Sequence, residues 1–489
     1  MLFHGTYFSN YQEWLRNSTH AKPSAQSIWY IVSQDILNTD AGGYFQGLYT
    51  SSGFFNLWRT QGMVSNSHLK STSLVSLFIS LLLLGLAYYV THAATSKFVP
   101  KLFTFKLLSV LAGLASLSWS GHLVHVSAPI NKLSKVGIEP SLIQRPQDLL
   151  SRSLMCEVYP EFGQFSYPSL LPLQSSKTLI STLINGHYNF TGSIPIPLVA
   201  SHHFYLGIVL ILLGLIVSSH APGRLIKELS SAALSPNWNL VLALNLLLLA
   251  TSSFLYAHSI YSSPVYPYLS FDYLTLTSIY CHHMWIGGLF MIGYGAHAAI
   301  YLVSNLTTSQ NPSFISVLLS HRDLITGHLV WVVLFLGLHS FGLYIHNDTL
   351  QALGRPEDAF SDAAIQLKPI FSTLVNYTPP YTRLSQAIGS KVVSINQSIG
   401  TADFMLNHIH AFTIHTTALV SAKGSLYARS SRLVTDKSSL GFIHPCDGPG
   451  RGGTCQISPW DHIFLRVFWM YNSVSTTLFH FFWKVQSDV

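Results

Sequence analysis

Long apolar runs alternate with polar, turn-rich stretches along this 489-residue chain, and the runs set its architecture. A membrane-crossing helix needs about 20 mostly apolar residues. Eight segments qualify, at 74–94, 103–127, 198–220, 238–260, 276–303, 324–346, 402–424 and 461–483. The pattern predicts an all-α multi-pass membrane protein with about eight transmembrane helices. Residues 1–73 are amphipathic and aromatic, with turn signals at Gly42-Gly43 and Ser52-Gly53. The connections 128–197 and 347–400 are long, hold Pro, Ser, Asn and Gly, and should fold over one membrane face. The connection 425–460 joins the last two spans. The chain shows no short-period repeat, no soluble domain and no phosphate-binding glycine motif on a strand–helix unit.

Composition agrees with a membrane protein: 9% of residues are charged, 49% are hydrophobic, and the mean hydropathy is +0.35. The net charge of +7 is spread through loops and forms no dense basic tract, so there is no signal for a nucleic-acid partner. The start, Met1-Leu2-Phe3-His4-Gly5, lacks a cleavable-signal pattern, so targeting is expected to rest on internal spans. Alternate connections hold Lys97, Lys101 and Lys106, then Arg224 and Lys227, then Arg322, then Lys423, Arg429, Arg432, Lys437 and Arg451. The opposing loop 261–275 has neither Lys nor Arg. The positive-inside rule puts the basic set on the cytoplasm-equivalent side, with both termini and the long loops opposite. Arg466, a turn inside the last span, is expected to snorkel to the interface.

The 24 histidines are too many for a generic membrane protein, and polar groups inside a bilayer usually mark function. His321, His328, His339 and His346 are spaced by 7, 11 and 7 residues. At about 100° per residue, each step returns to within about 20° of one helix face. His283 with His297, His202 with His220, His462 with His480, and His408 with His415 also share faces. His122 and His125 are one turn apart, and His410 points away from its neighbours. A lone membrane histidine is more often a hydrogen bond to the next helix. Stripes on nearly every span point instead to axial ligands of a metal macrocycle. Haem of the cytochrome b type asks for facing pairs. His283 and His297 would suit one, but no second helix repeats that spacing. Chlorophyll takes one axial ligand on magnesium, which fits unpaired histidines at many depths.

The decapeptide Cys446-Asp-Gly-Pro-Gly-Arg-Gly-Gly-Thr-Cys455 carries a second kind of chemistry. Its spacing alone leaves a loop disulfide and a pair of cluster ligands equally open. An iron–sulfur cubane takes four thiolates, and this loop supplies two. Cys156 and Cys281 lie far away without such a setting, so the loop reads as half of a site completed by another chain. Glycines would let N–H groups approach the sulfurs, and Arg451 would add a cation.

The decapeptide resembles the stromal loop of the two large core proteins of photosystem I. Further stretches are similar to the A-type large subunit family (PsaA): Phe8-Ser-Asn-Tyr11 with Trp14-Leu15, Ser52-Gly-Phe-Phe55, Leu117-Ser-Trp-Ser-Gly-His122, His282-His-Met-Trp-Ile-Gly-Gly288 and His339-Ser-Phe-Gly-Leu-Tyr-Ile-His-Asn-Asp-Thr349. So are Ala352-Leu-Gly-Arg-Pro356, Gly400-Thr-Ala-Asp-Phe404, His408-Ile-His-Ala-Phe-Thr-Ile-His415, Ala428-Arg-Ser-Ser-Arg-Leu433, and Cys455-Gln456 with Trp460-Asp-His462 and Phe468-Trp-Met-Tyr-Asn472. The last run favours the A-type protein over the B-type. The resemblance covers essentially the whole chain.

The resemblance implies about eight helices of the eleven-helix photosystem I core fold, with long lumenal loops. Residues 1–73 become a lumenal N-terminal segment, 74–424 seven antenna-type spans with their loops, 425–460 a stromal iron–sulfur loop, and 461–489 the last transmembrane helix. Chlorophyll a ligands carry over to His122, His125, His202, His203, His258, His282, His283, His297, His321, His328, His339, His346, His408, His410, His415, His462 and His480. Beta-carotene or another carotenoid would pack between helices. Cys446 and Cys455 would hold half of a [4Fe–4S] cluster shared with the B-type large subunit (PsaB). Arg429, Arg432 and Lys437 sit where the family docks the stromal ferredoxin-like subunit with two [4Fe–4S] clusters (PsaC). Small photosystem I subunits and thylakoid lipids are further implied partners, and the location is a plastid (chloroplast) thylakoid membrane.

The implied activity is light-driven electron transfer from plastocyanin or cytochrome c to ferredoxin, as part of the complex and not as an isolated chain. The alternatives are an antenna-only chlorophyll protein, a multi-haem membrane cytochrome, and a transporter with a proton or metal path. Family histidines are replaced near Phe105 and Lys106 and at Asn239, Leu215, Ser259 and Asn407, and His92 lies in an altered helix. Fewer chlorophylls are expected, or ligation through water, backbone carbonyl, Asn239 or Asn407. The stretch corresponds to the second to ninth family helices. The special-pair ligand and the phylloquinone site are therefore expected on another polypeptide.

Overall fold

A computed structural model describes residues 6–8, 11–16, 25–27, 50–95, 101–131, 196–216, 237–262, 265–266, 273–306, 314–368 and 400–488. Cys156, His220, Arg224, Lys227 and most of the two long connections lie outside them. Where no water reaches the backbone, an apolar run must satisfy its own N–H and C=O groups, and the helix does so. All eight predicted segments fall on helices where they are described; residues 217–220 of the third lie outside the described residues. In chain order the helices are α1 (Tyr11–Arg16), α2 (Thr50–Gln61), α3 (Asn66–Thr95), α4 (Lys101–His122, prolonged by a π turn Leu123–Ser127), α5 (Ile196–Ile216) and α6 (Trp238–Ser262). They continue as α7 (Tyr273–Ile300, with a π turn Tyr301–Asn305), α8 (Phe314–Ser320), α9 (Arg322–Ala352), α10 (Thr401–Leu426), α11 (Lys437–Leu440) and α12 (Pro459–Asp488). Strands Thr6–Phe8 and Ala25–Ser27 form a small antiparallel pair, and Phe360 and Ile365 form an isolated β-bridge; the rest of the regular structure among the described residues is helical.

Among the described residues, six of the long helices are apolar enough to cross a membrane: α3, α4, α5, α6, α7 and α9. The other two, α10 and α12, span 26 and 30 residues but are more polar. Asp403, three histidines and Lys423 interrupt α10, and Asp461, Arg466 and Lys484 interrupt α12. Helix α9 runs six residues past its predicted end, to Ala352. There Gly354, at φ +70°, and the Arg355 N–H on Leu350 O (2.8 Å) close a Schellman turn, and Pro356 follows.

The described residues fall into two compact units. In the first, Tyr11, Trp14, Phe55, Trp58, Met63 and Leu69 form a buried, mainly aromatic cluster. The Tyr11 hydroxyl donates to Met63 O at 2.6 Å, and burial pushes this phenol far above its ordinary value. Helices α4 and α5 meet at their backbones. A Cβ on Gly113 would lie 2.7 Å from Gly207 O, and one on Gly207 2.8 Å from Gly113 O. That approach lets Ser109, Ser116 and Ser120, on one face of α4, donate to Leu210, His203 and Ala200 carbonyls at 2.7, 2.6 and 2.7 Å.

In the second unit, glycines on one helix receive large side chains from the next. Gly287 takes Phe254, Gly288 takes Met470, and Gly337 takes Phe412. Helices α10 and α12 run antiparallel along a polar seam. From one end to the other it pairs Gly424 with His462, Ser421 with Arg466, Thr417 with Ser473, His410 with His480, and Asp403 with Lys484. Arg466 does not snorkel. It is 2% exposed, donates to Ser421 Oγ and lies against Gly295 of α7. The notch at Gly295 holds it inside the unit.

Candidate cofactor sites

A backbone carbonyl only accepts hydrogen bonds, so an imidazole nitrogen resting on one carries the proton, and the other nitrogen keeps its lone pair. In α9, His328 Nδ1 rests on Leu324 O (2.7 Å) and His339 Nδ1 on Phe335 O (2.8 Å). His321, at the start of that helix, uses Val317 O (2.8 Å). The same four-residue reach holds His203 on Val199 O (2.9 Å), His258 on Phe254 O (2.7 Å) and His408 on Phe404 O (2.7 Å). It also holds His415 on Ala411 O (2.7 Å) and His462 on Ser458 O (3.0 Å). Such a bond fixes tautomer and ring direction, as ligands of bound metals require. His321, His328 and His339 are exposed along one side of α9, and the ring of His339 stacks on Phe335 at 4.0 Å. This donor set suits axial magnesium ligation, with Nε2 directed away from the parent helix.

Other histidines from the sequence reading stand differently. His125, His202 and His282 are exposed. His283 lies edge-on to Tyr256 at 4.5 Å. His297 Nδ1 donates to Asn239 Oδ1 (3.0 Å), and Asn239 Nδ2 donates to Asn305 Oδ1 (3.1 Å). Both ends of the Asn239 amide are therefore in use, whereas Asn407 is exposed. His122 spends Nε2 on Gln61 O (2.8 Å), and His346 spends Nε2 on Asp358 O (2.9 Å). His480 has both nitrogens engaged, Nε2 on Asp403 Oδ1 (3.0 Å) and Nδ1 on His410 Nε2 (2.9 Å). Lys484 Nζ and the Gly400 N–H hold the other carboxylate oxygen, each at 3.1 Å. As placed, His480 has no nitrogen left for a metal. Two imidazoles flanking one metal would stand ~4 Å apart, from metal–nitrogen bonds of ~2 Å, so this pair is a hydrogen bond and not a haem clamp. Asp403 and Lys484 were missed as its partners. Ionisable residues inside a span were the available signal.

The cysteine loop is held open by its own polar groups. Asp447 N–H donates to Thr454 Oγ1 (2.7 Å), Thr454 Oγ1 to Gly448 O (2.5 Å), and Gly453 N–H to Gly450 O (3.0 Å). Gly448, Gly452 and Gly453 take positive φ, and so does Arg451. The Arg451 guanidinium pairs with Asp447 and donates to Leu433 O (3.3 Å), so it staples the loop to the segment before it. Cys446 and Cys455 are free thiols and exposed, and the Gly448 N–H points at Cys446 Sγ (3.4 Å). Of the three cations expected at a docking surface, Arg432 is exposed beside Asp323, and Arg429 donates to Leu302 O (2.7 Å). Lys437 is 4% exposed, with Nζ on Tyr427 O (2.8 Å). Among the described residues, no group of three or more His, Cys, Asp or Glu side chains gathers at one point.

These features define a helical multi-pass membrane protein with histidines aimed outward from its spans and an exposed dithiol loop. The chain belongs to the photosystem I psaA/psaB protein family, whose sequence model matches residues 1–388 and 376–489. It is 46% identical over 521 residues to a Heterocapsa triquetra protein called Photosystem I P700 chlorophyll a apoprotein A1, covering 100% of this chain and 71% of that protein. A Stigeoclonium helveticum protein of the same name is 44% identical over 532 residues, covering 100% of this chain and 70% of that one.

Proposed function

We propose that this chain is an A-type core subunit of photosystem I in the plastid thylakoid membrane, paired with the B-type subunit and working within a light-driven oxidoreductase complex. It binds chlorophyll a and carotenoid for light harvesting and supplies half of a [4Fe–4S] site on the path from plastocyanin or cytochrome c to ferredoxin. Bound pigment and cluster would supply light absorption and one-electron transfer. The chain's own residues hold and orient them. His203, His321, His328, His339, His408, His415 and His462 present Nε2 while a carbonyl fixes Nδ1. Cys446 and Cys455 present two exposed, free sulfurs on one loop. The observation that carries the reading is this outward histidine geometry on a chain matched to the family along its length.

The test is low-temperature EPR of the purified complex, with pigment analysis and mass spectrometry of its chains. A photoreducible [4Fe–4S] signal that disappears in Cys446→Ser, with chlorophyll retained, is the expected result. Chlorophyll without any cluster signal would leave an antenna-only protein. Haem bands without a red chlorophyll band would select the cytochrome reading.

A further inference from the structure

Helix α10 ends at Leu426, where its last carbonyls lack helical partners and the helix dipole is negative. Two cations fill that end. Arg322, at the start of α9, donates to Ser430 O (2.7 Å), Ser430 Oγ (3.2 Å) and Leu426 O (3.4 Å), and lies over the Tyr427 ring at 4.5 Å. Lys437 reaches back to Tyr427 O at 2.8 Å. The Tyr427 hydroxyl donates to Asp323 Oδ1 (2.6 Å) and meets Thr326 Oγ1 at 3.0 Å, so the turn is tied to α9 from both sides.

The same contacts continue into the dithiol loop. Ser438 N–H bonds Arg429 O at 2.9 Å, and Ser431 N–H bonds Val434 O at 2.8 Å, with Val434 itself buried. Leu433 O then takes Arg451, and Arg451 holds Asp447, the residue beside Cys446. A buried ammonium loses the hydration it would have at the surface, so Lys437 is a costly place to keep a docking charge. Its geometry suits an internal tether.

We propose that Lys437 and Arg322 are positioning residues for the thiol pair. By fixing residues 431–440 against the end of α10, they set where Leu433 O stands, and through Arg451 they set the approach of Cys446 and Cys455 to a shared cluster. This rests on the cluster reading above.

The test uses the intact complex carrying Lys437→Met, Lys437→Arg or Arg322→Lys. Iron, acid-labile sulfide and chlorophyll per complex are measured, together with the EPR g-values and midpoint potential of the photoreduced cluster. In K437M the cluster signal is expected to fall several-fold or its g-values to move, with chlorophyll unchanged. K437R is expected to recover part of the signal, and R322K to give a smaller change in the same direction. The proposal is overturned by unchanged signal, g-values and potential in both K437M and R322K beside a normal parent. Chlorophyll falling in step with the cluster would also overturn it, since that marks a general folding defect. A parent complex with no cluster signal at all would overturn the cluster reading itself.

Discussion

At the scale of single residues, the deciding quantity is which imidazole nitrogen the protein has already used. His339 has Nδ1 on Phe335 O and a ring stacked on an aromatic neighbour, while His480 spends both nitrogens on Asp403 and His410. His339→Leu is therefore expected to remove one chlorophyll from the complex, counted against protein after extraction. His480→Leu is expected to leave the pigment count unchanged. It should instead destabilise the α10–α12 pair by roughly 1–3 kcal/mol, because Asp403 and His410 lose a buried partner. Loss of one pigment in H480L would show that the contacts of His480 with Asp403 and His410 open to admit a macrocycle.

Lys437 makes a separate prediction. Burial, with Arg322 and Lys423 adding like charge, lowers its ammonium from 10.5 to about 8. Below that value folded and unfolded chains both hold the proton, and the cost of burying the charge is present in full. Between the two values the unfolded chain binds a proton that the folded chain has shed, so this group's contribution to stability rises with pH across that window. The pH profile of Lys437 acylation, read by peptide mass spectrometry, is expected to turn near 8. A profile like that of surface lysines would refute the burial.

At the scale of elements, close packing and polar seams divide the work. The α4–α5 contact depends on Gly113 and Gly207, and its serine hydroxyls bond across the helices. Ser116→Ala is expected to cost only about 0.6 kcal/mol, the usual size of an interhelical hydrogen bond in a membrane. The site around Arg466 behaves differently. Its guanidinium is buried, pairs with no carboxylate among the described residues, and fills the space that a Cβ on Gly295 would occupy. Gly295→Ala should destabilise by about 1–3 kcal/mol through overpacking. Arg466→Met should be near neutral, since a buried charge is often replaced by an apolar side chain without loss. The double variant should recover most of the G295A penalty in thermal bleaching of the complex, and additive penalties would reject this contact. The eight helices themselves were legible from apolar run lengths, although only six of them, among the described residues, are apolar enough to cross a membrane. The seam was not. Pairings such as Asp403 with Lys484 and Ser421 with Arg466 join residues 81 and 45 positions apart. Helical periodicity reports only faces of one helix. For the same reason His410 and His480 read as ligands, and Arg466 as a snorkelling end.

At the scale of the whole molecule, the proposed cluster asks for more thiolates than the two the dithiol loop carries. Cys446 and Cys455 are exposed and free, Cys281 is half-buried in α7, and no third His, Cys, Asp or Glu ligand joins the loop among the described residues. The loop's own shape is set by Asp447, Arg451, Thr454 and the glycines, and its place by the Arg451 bond to Leu433 O. Under the proposed cluster reading the two sulfurs need a partner chain to be completed, since a cubane takes four thiolates. The expected composition is therefore about four iron atoms per copy of this chain, or about two per large chain, once the small stromal iron–sulfur subunit has been stripped away. Equal amounts of a second large chain should be present in that preparation. Iron analysis with quantitative mass spectrometry of the stripped complex measures both ratios. With no second large chain present, about two irons per copy of this chain would mean that the loop finds its other thiolates in a copy of itself, and about four that it finds them in Cys156 and Cys281; either result would refute a site shared with a second large chain.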